Sequence, residues 1–395
     1  PLRVQAVVLC AIARKVITHR PCHQPAASEV SMSYSVALSE HPDPGVATGE
    51  AVGQIMEAFS TPPDVVLLWV TEPFASHLKS IADTVQQLLE TPCLMGVVAE
   101  TVLANHQEIS GTPAVLLWAG HTETARPFSI HPGDLLPQSQ HDGDALLLFY
   151  DADFHYMAEL LDDHPSYDWI TGGSSSAKQC SLILNGQPQT SGAVGLVFPT
   201  GSVNAPRLTT ACRPIGDPFI ITARRGPLIE LLGGRPAMER LDAARNSLSE
   251  EDQKLLPRRL FIGQVERESK SDFQAGDFLI RPVVGKQENT GAIAIGYPIE
   301  TGATVQFQIS DPEVAIQQTE EKYRHWEADS LLCFVSKHRG KTFFDEEGKE
   351  AELLLEALGF PTIAGMYCTS EIGPTATFGA LHYCSTSTLL FSARE

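Results

Sequence analysis

The sequence has 395 residues, 43% of them hydrophobic and 19% charged, which is the composition of an ordinary globular protein but a length too great for one compact core. Its net charge of −20 opposes binding to nucleic acid or to an anionic membrane surface. The eight cysteines form no CxxC pair and the 13 histidines no HExxH motif, so we expect reduced thiols, no metal and no other cofactor.

Residues 1–32 differ from the rest of the chain because they carry basic residues and no acid before Glu29. We expect a disordered leader or a non-native extension, with the folded protein starting near Met32. A basic leader without acids is also typical of an organelle transit peptide, for example one for the plastid. Otherwise the protein is expected in the cytoplasm.

The first regular pattern runs from residue 63 to residue 120. A buried strand is predicted at Val65–Val70, and the apolar spacing from Leu78 to Leu89 predicts one face of a helix. A second short strand, Cys93–Met95, stops at Gly96, and an apolar strand within 112–120 closes the unit.

The same order of strand, helix, strand, glycine, polar residues and strand occurs twice more, within residues 143–198 and 328–393. The second strand of each unit is predicted to end at glycine, where a residue without Cβ suits a sharp turn. The remaining predicted elements are the strands Leu146–Tyr150 and Leu331–Val335 and the helices Phe154–Leu161 and Lys349–Leu358, with the turn glycines Gly172, Gly173 and Gly365.

The region between the second and third units has different patterning. Residues 219–241 predict a hairpin with a Gly-Gly turn followed by a helix near Pro236, and residues 278–309 predict a three-stranded meander. Residues 245–257 look like an exposed connector. We predict a mixed α/β (α+β) fold of two domains, 33–210 and 217–394, built from these repeated units with helices packed on the sheets.

Several segments together resemble the FIST family, named for F-box and intracellular signal transduction proteins. They are GVVAETVLANHQEISGTPAVLLWA (96–119), ITGGSSSA (170–177), LGGRPAMERL (232–241), FLIRPVVG (278–285), GATVQF (302–307) and GMYCTSEIGP (365–374). The resemblance implies that an N-terminal and a C-terminal domain form one small-ligand sensory module, for which amino acids are the usual suggestion. Members often carry an attached signalling domain or F-box, so we expect a signalling protein partner in trans here.

The segment TGGSSSA (171–177) predicts an anion cradle, in which backbone N–H groups and hydroxyls of Gly172, Gly173, Ser174 and Ser175 hold a carboxylate or phosphate. The alternatives are a polar turn and a nucleophile elbow. An elbow needs a helix directly after its serine, whereas QCSLILNGQ favours a strand here, so we disfavour a hydrolase.

Four further residues are candidate ligand contacts. Glu371 and Glu100 follow the glycines of the third and first units, where a carboxylate can pair with a ligand ammonium or cap backbone N–H groups. Arg281 lies inside a strand pattern and can clamp a carboxylate or face solvent. Cys368 is interpreted as a binding thiol or small core residue.

The favoured function is therefore small-molecule binding in intracellular signalling, with an amino acid as the suggested ligand, held between the two domains by the polar residues after the glycines. No catalytic residue is assigned. One alternative is a thiol-dependent enzyme using Cys368 with Glu371 or His382. The other is a protein-binding adaptor whose pocket is vestigial.

Overall fold

The computed structural model describes residues 33–122, 125–141, 143–162, 167–176, 181–199, 201, 203–270, 272–375 and 378–392. The predicted leader, residues 1–32, lies outside the described residues. Among the described residues no helix has both the length and the apolar composition needed to cross a membrane.

The strands follow in chain order: β1 (Tyr34–Ser39), β2 (Val65–Thr71), β3 (Cys93–Ala99), β4 (Thr101–Ala104), β5 (Gln107–Ser110), β6 (Val115–Gly120), β7 (Arg126–Ile130), β8 (Ala145–Tyr150), β9 (Trp169–Ser174), β10 (Leu182–Leu184), β11 (Gln187–Gln189), β12 (Ala193–Phe198), β13 (Arg207–Thr210), β14 (Cys212–Arg225), β15 (Leu228–Leu232), β16 (Arg235–Pro236), β17 (Leu260–Val265), β18 (Phe278–Gln287), β19 (Ala292–Ile295), β20 (Thr304–Ser310), β21 (Ser330–Ser336), β22 (Thr362–Cys368), β23 (Glu371–Pro374), β24 (Gly379–His382) and β25 (Ser385–Phe391). The α-helices are α1 (Pro44–Ala58), α2 (Leu78–Leu89), α3 (Met157–Asp162), α4 (Ala237–Asn246), α5 (Glu250–Arg259), α6 (Pro312–Tyr323), α7 (Lys341–Phe344) and α8 (Lys349–Leu358), and 3₁₀ helices span Glu72–His77 and Lys337–Arg339.

The described residues form four sheets, and three of these share one plan. Each contains a pair of parallel strands joined through a helix, β2–β3, β8–β9 or β21–β22. A later strand, β6, β12 or β25, then pairs antiparallel with the first strand of the pair. Helices cover one face of each sheet, and the other faces meet in a common core, so the central strands are apolar on both sides. The predicted mixed α/β fold is confirmed.

The hairpins that follow the second parallel strands are exchanged between these sheets. The β4–β5 hairpin pairs with β22, the β23–β24 hairpin with β9, and the β10–β11 hairpin with β3. Each sheet therefore ends in a hairpin that the chain supplies from another unit, and the exchange closes a ring. Two of these pairings join residues of the predicted domain 33–210 to residues of the predicted domain 217–394.

The common core lies inside this ring. One aromatic side chain comes from the first parallel strand of each sheet: Trp69, Phe149 and Phe334. The ring centroids are 5.6 Å apart for Trp69 and Phe149 and 6.0 Å apart for Phe149 and Phe334. These tilted and edge-on contacts stabilise the meeting of three sheets around one apolar centre.

The glycines predicted to end strands instead lie within them, so the predicted turn role is wrong. A Cβ atom on Gly365 would lie 2.1 Å from the carbonyl oxygen of Cys333, and one on Gly173 would lie 2.2 Å from Sγ of Cys368. Gly172, with φ +147°, would place its Cβ 1.9 Å from the carbonyl oxygen of Leu148. These positions need glycine because neighbouring atoms approach the strand closely.

The fourth sheet, ordered β14-β20-β17-β18-β19-β15-β16, corrects two predictions. The predicted meander is wrong in its last step, because β19 pairs with β18 and β15 whereas β20 pairs with β14 and β17. The predicted connector at 245–257 is largely helical: α4 continues to Asn246, and α5 begins after Ser249, whose Oγ accepts from Asp252 N at 3.1 Å. The sequence pattern did not predict α5, because this helix buries only Leu256 and so has no apolar face.

Candidate functional site

The polar residues that follow the second parallel strands meet at one place. Glu100 lies between β3 and β4, Ser176 follows β9, and Thr369 follows β22. Together they line a cavity of about 360 Å³, which we call the central groove. Its full lining is Glu100, Thr101, Glu108, Ser110, Ser176, Lys337, Gly340, Lys341, Thr342, Glu347, Tyr367, Cys368 and Thr369.

Hydrogen bonds from backbone groups, two of them to the Ser174 hydroxyl, hold the three polar segments against one another. The hydroxyl of Ser174 accepts from the N–H groups of Thr369 at 3.0 Å and Ser370 at 3.3 Å, and its own N–H donates to Ser370 O at 3.1 Å. The N–H of Ser176 donates to Val98 O at 3.2 Å. Ser174 is fully buried, so it positions Thr369 and does not itself face the groove.

Two opposite charges at the groove are left unpaired. Glu100 and Lys337 are exposed, and neither forms an ion pair within the part of the chain that the structure describes. Lys337 Nζ does donate to Thr369 Oγ1 at 3.4 Å. By contrast, Lys341 is paired with Glu347 at 2.9 Å. The groove thus offers one carboxylate and one ammonium group to a ligand.

The deeper wall of the groove supplies hydroxyl groups. The Tyr367 hydroxyl donates to Glu108 Oε1 at 2.7 Å, and burial raises the pKa of Glu108. The hydroxyl of Ser176 is buried and has no hydrogen-bond partner among the described residues. A buried polar group is normally satisfied by protein, water or ligand, so Ser176 is available to a bound molecule.

The thiol of Cys368 forms part of the groove wall but is poorly suited to nucleophilic attack. It is 1% exposed, and burial together with the nearby Glu371 raises its pKa well above the usual value. His382 is also buried; its Nε2 lies 3.2 Å from Gly373 O, and burial and Arg281 lower its pKa to about 3. A neutral imidazole cannot supply the positive charge that stabilises a thiolate.

Glu371 and Arg281 lie away from the groove. Glu371 is fully buried, its Oε2 accepts from Ser385 Oγ at 2.7 Å, and burial raises the pKa of its carboxyl, which favours the protonated form. Its Oε1 has no partner among the described residues. Arg281 is 5% exposed and donates from Nη1 to Leu381 O at 2.8 Å.

Of the residues singled out in the sequence, the structure thus brings Glu100 and Cys368 to the groove. Gly172, Gly173, Ser174 and Ser175 are buried beside it, with the Ser175 hydroxyl accepting from Ser181 Oγ at 2.9 Å. Sequence reasoning missed Lys337. A signal existed, because ligands in α/β proteins bind beyond the carboxyl ends of parallel strands, and Ser336 and Cys368 end the paired strands β21 and β22 side by side.

Comparison with known proteins places these features in a family. Residues 64–235 match the FIST N domain, and residues 238–374 match the FIST C domain. An uncharacterised protein of Mycobacterium tuberculosis is 32% identical over 386 residues, covering 91% of this chain and 100% of the relative. An uncharacterised protein of Mycobacterium bovis is 30% identical over 382 residues, covering 91% of this chain and 99% of the relative.

Proposed function

This chain belongs to the FIST family, whose domains are small-ligand sensory modules in signalling, and from this premise we propose that its central groove binds a free amino acid or similar zwitterion. One observation carries the proposal. The polar segments that follow β3, β9 and β22 line a single cavity that also holds an unpaired carboxylate and an unpaired ammonium.

The chemistry of the lining matches the two charged ends of an amino acid. Glu100 would accept from the ligand ammonium, and Lys337, assisted by the Thr369 and Ser176 hydroxyls, would bind the ligand carboxylate. A cavity of about 360 Å³ is near the lower end of the usual range for small-molecule sites, which suits a metabolite-sized ligand.

The proposed ligand would bridge the two halves of the chain. Glu100 and Ser176 belong to the N-terminal half, and Lys337 and Thr369 belong to the C-terminal half. A ligand that contacts both halves stabilises their relative arrangement, which gives a sensory module a way to report occupancy. The reporting step would involve a separate signalling protein, because the proposed site accounts for binding alone.

We also propose that the protein works in the cytoplasm. The five cysteines in the described part of the chain are all free and buried, which fits a reducing compartment. Microscopy of a fluorescent fusion in the native cell would check this, and confinement to a plastid or another organelle would contradict it.

The test is a thermal-shift screen with the free amino acids, followed by calorimetry of those that stabilise the protein. A ligand at about 100 times its Kd should add about 2.7 kcal/mol to the free energy of unfolding. No stabilisation by any amino acid at millimolar concentration would contradict the proposal.

Substitutions assign the two ligand ends separately. Glu100→Gln should weaken the binding of an amino acid and of its decarboxylated amine by roughly tenfold, and should leave the binding of the deaminated acid unchanged. Lys337→Gln should show the opposite selectivity. The matched controls are Glu57→Gln on α1 and Lys79→Gln on α2, both exposed and outside the groove. Equal losses for all three compounds with either groove variant would contradict the assignment.

A further inference from the structure

A second cavity, of about 370 Å³, lies between β13, α6, the start of β18 and the segments that flank β24. None of the residues that line the central groove lines it. Its walls combine apolar side chains, among them Leu208, Phe278 and Ile280, with polar ones such as Thr210, Gln318 and Ser385. Such a mixed lining suits an organic molecule with one polar end.

The charges around this second cavity differ from those of the whole protein. Arg207, Arg267 and Lys322 line it, and none of them forms an ion pair within the described chain. The wall also holds two acids, Glu266 and Asp277, and Asp277 is paired with Lys270 and feels the charge of Arg267. With three cations against two carboxylates, the lining is net positive in a protein whose overall charge is −20, and a concave positive site favours an anion.

The Arg207 side chain contacts an aromatic ring and has an unpartnered N–H group. Its guanidinium carbon lies 3.5 Å from the centroid of the Trp326 ring, a cation–π contact that restrains the side chain. Its Nε is buried and has no hydrogen-bond partner among the described residues. A buried guanidinium N–H without an acceptor is costly, and a bidentate carboxylate or phosphate would satisfy it.

We propose that this second cavity is a binding site for a small organic anion, with Arg207 clamping a carboxylate or phosphate group and Lys322 and Arg267 adding charge at the rim. The apolar wall would receive the organic part of the ligand. The site is separate from the central groove, and the proposal does not depend on what that groove binds.

The test is isothermal titration calorimetry with phenyl phosphate, benzoate, inorganic phosphate and benzylamine. Phenyl phosphate or benzoate should bind saturably and more tightly than inorganic phosphate. This binding should weaken as the salt concentration rises. The cation benzylamine should not bind. Arg207→Gln should lower the affinity for the organic anion by at least about tenfold. Lys322 is exposed, so Lys322→Gln should lower this affinity by a smaller factor.

Two variants outside the cavity complete the design. Lys79→Gln should leave anion binding unchanged, whereas loss of binding in Lys337→Gln would place the anion in the central groove instead. Lys322→Gln keeps the test informative if Arg207→Gln fails to fold. The proposal is overturned if neither organic anion binds, if Arg207→Gln and Lys322→Gln both leave affinity unchanged, or if Lys337→Gln abolishes binding.

Discussion

The contact between Gly173 and Cys368 gives a quantitative test of how the exchanged strands meet. A Cβ atom at residue 173 would lie 2.2 Å from Sγ of Cys368 and 3.3 Å from its Cβ. The main conflict is thus with a single sulfur atom. Gly173→Ala should therefore lower the free energy of unfolding by about 1–3 kcal/mol, the usual cost of overpacking a core.

Removing the sulfur should relieve most of this cost. Cys368→Ala alone should be mildly destabilising, and the Gly173→Ala/Cys368→Ala pair should be more stable than the sum of the single effects by about 1 kcal/mol or more. Gly365→Ala combined with Cys333→Ala is the control. There the Cβ would also meet a backbone oxygen at 2.1 Å, which no side-chain change removes.

Urea unfolding followed by circular dichroism would measure these free energies for the single and double variants. Additive effects for Gly173→Ala and Cys368→Ala, with no recovery in the pair, would refute the close contact as the reason for glycine at 173. Equal recovery in the control pair would show that the backbone oxygen beside residue 365 adds nothing to the cost.

Three further predictions concern buried groups. Arg339 and Glu350 form a buried ion pair with N–O distances of 3.0 Å, so Glu350→Gln or Arg339→Met should each cost about 3–5 kcal/mol in urea unfolding, and the double variant less than their sum. Cys368 should react with iodoacetamide at pH 7 more slowly than the denatured chain, because burial raises its pKa and lowers the thiolate fraction; faster labelling, measured by peptide mass spectrometry, would favour the thiol-enzyme alternative. His382 has a folded pKa of about 3, below its unfolded value near 6.5, so the unfolded state binds the extra proton and stability falls by up to about 1.4 kcal/mol per pH unit as pH drops from about 6.5 towards 3. The His382→Gln variant should lose that part of the slope in urea unfolding measured across this range, and an unchanged slope would contradict a buried neutral imidazole.

Local sequence patterns account for the elements of the three similar sheets. Residues 78–89 place apolar side chains on one helical face, and the all-apolar runs at 65–70 and 331–335 predict strands buried on both sides. These patterns depend only on spacing along the chain. The structure confirms the helices Leu78–Leu89 and Lys349–Leu358 with the bounds expected from sequence.

Long-range pairing could not be read from spacing. The pairs Gly365–Leu103 and Glu371–Gly173 join residues far apart in the chain. The alternation of side chains along one strand does not indicate which distant strand it pairs with. The prediction that these glycines end their strands was wrong for the same reason. A local reading expects a glycine to turn the chain, whereas here the backbone of a paired strand or the sulfur of Cys368 leaves no space for Cβ.

The sequence by itself determined the α/β architecture and marked Glu100 and Cys368 as members of equivalent polar segments, because alternation, helical period and glycine position are local properties. The tertiary structure alone decided that those segments line one groove with Lys337, and that Glu371 is buried away from it. The exchange of hairpins among three sheets sets both outcomes, since a side chain's surroundings depend on which distant strand lies beside it.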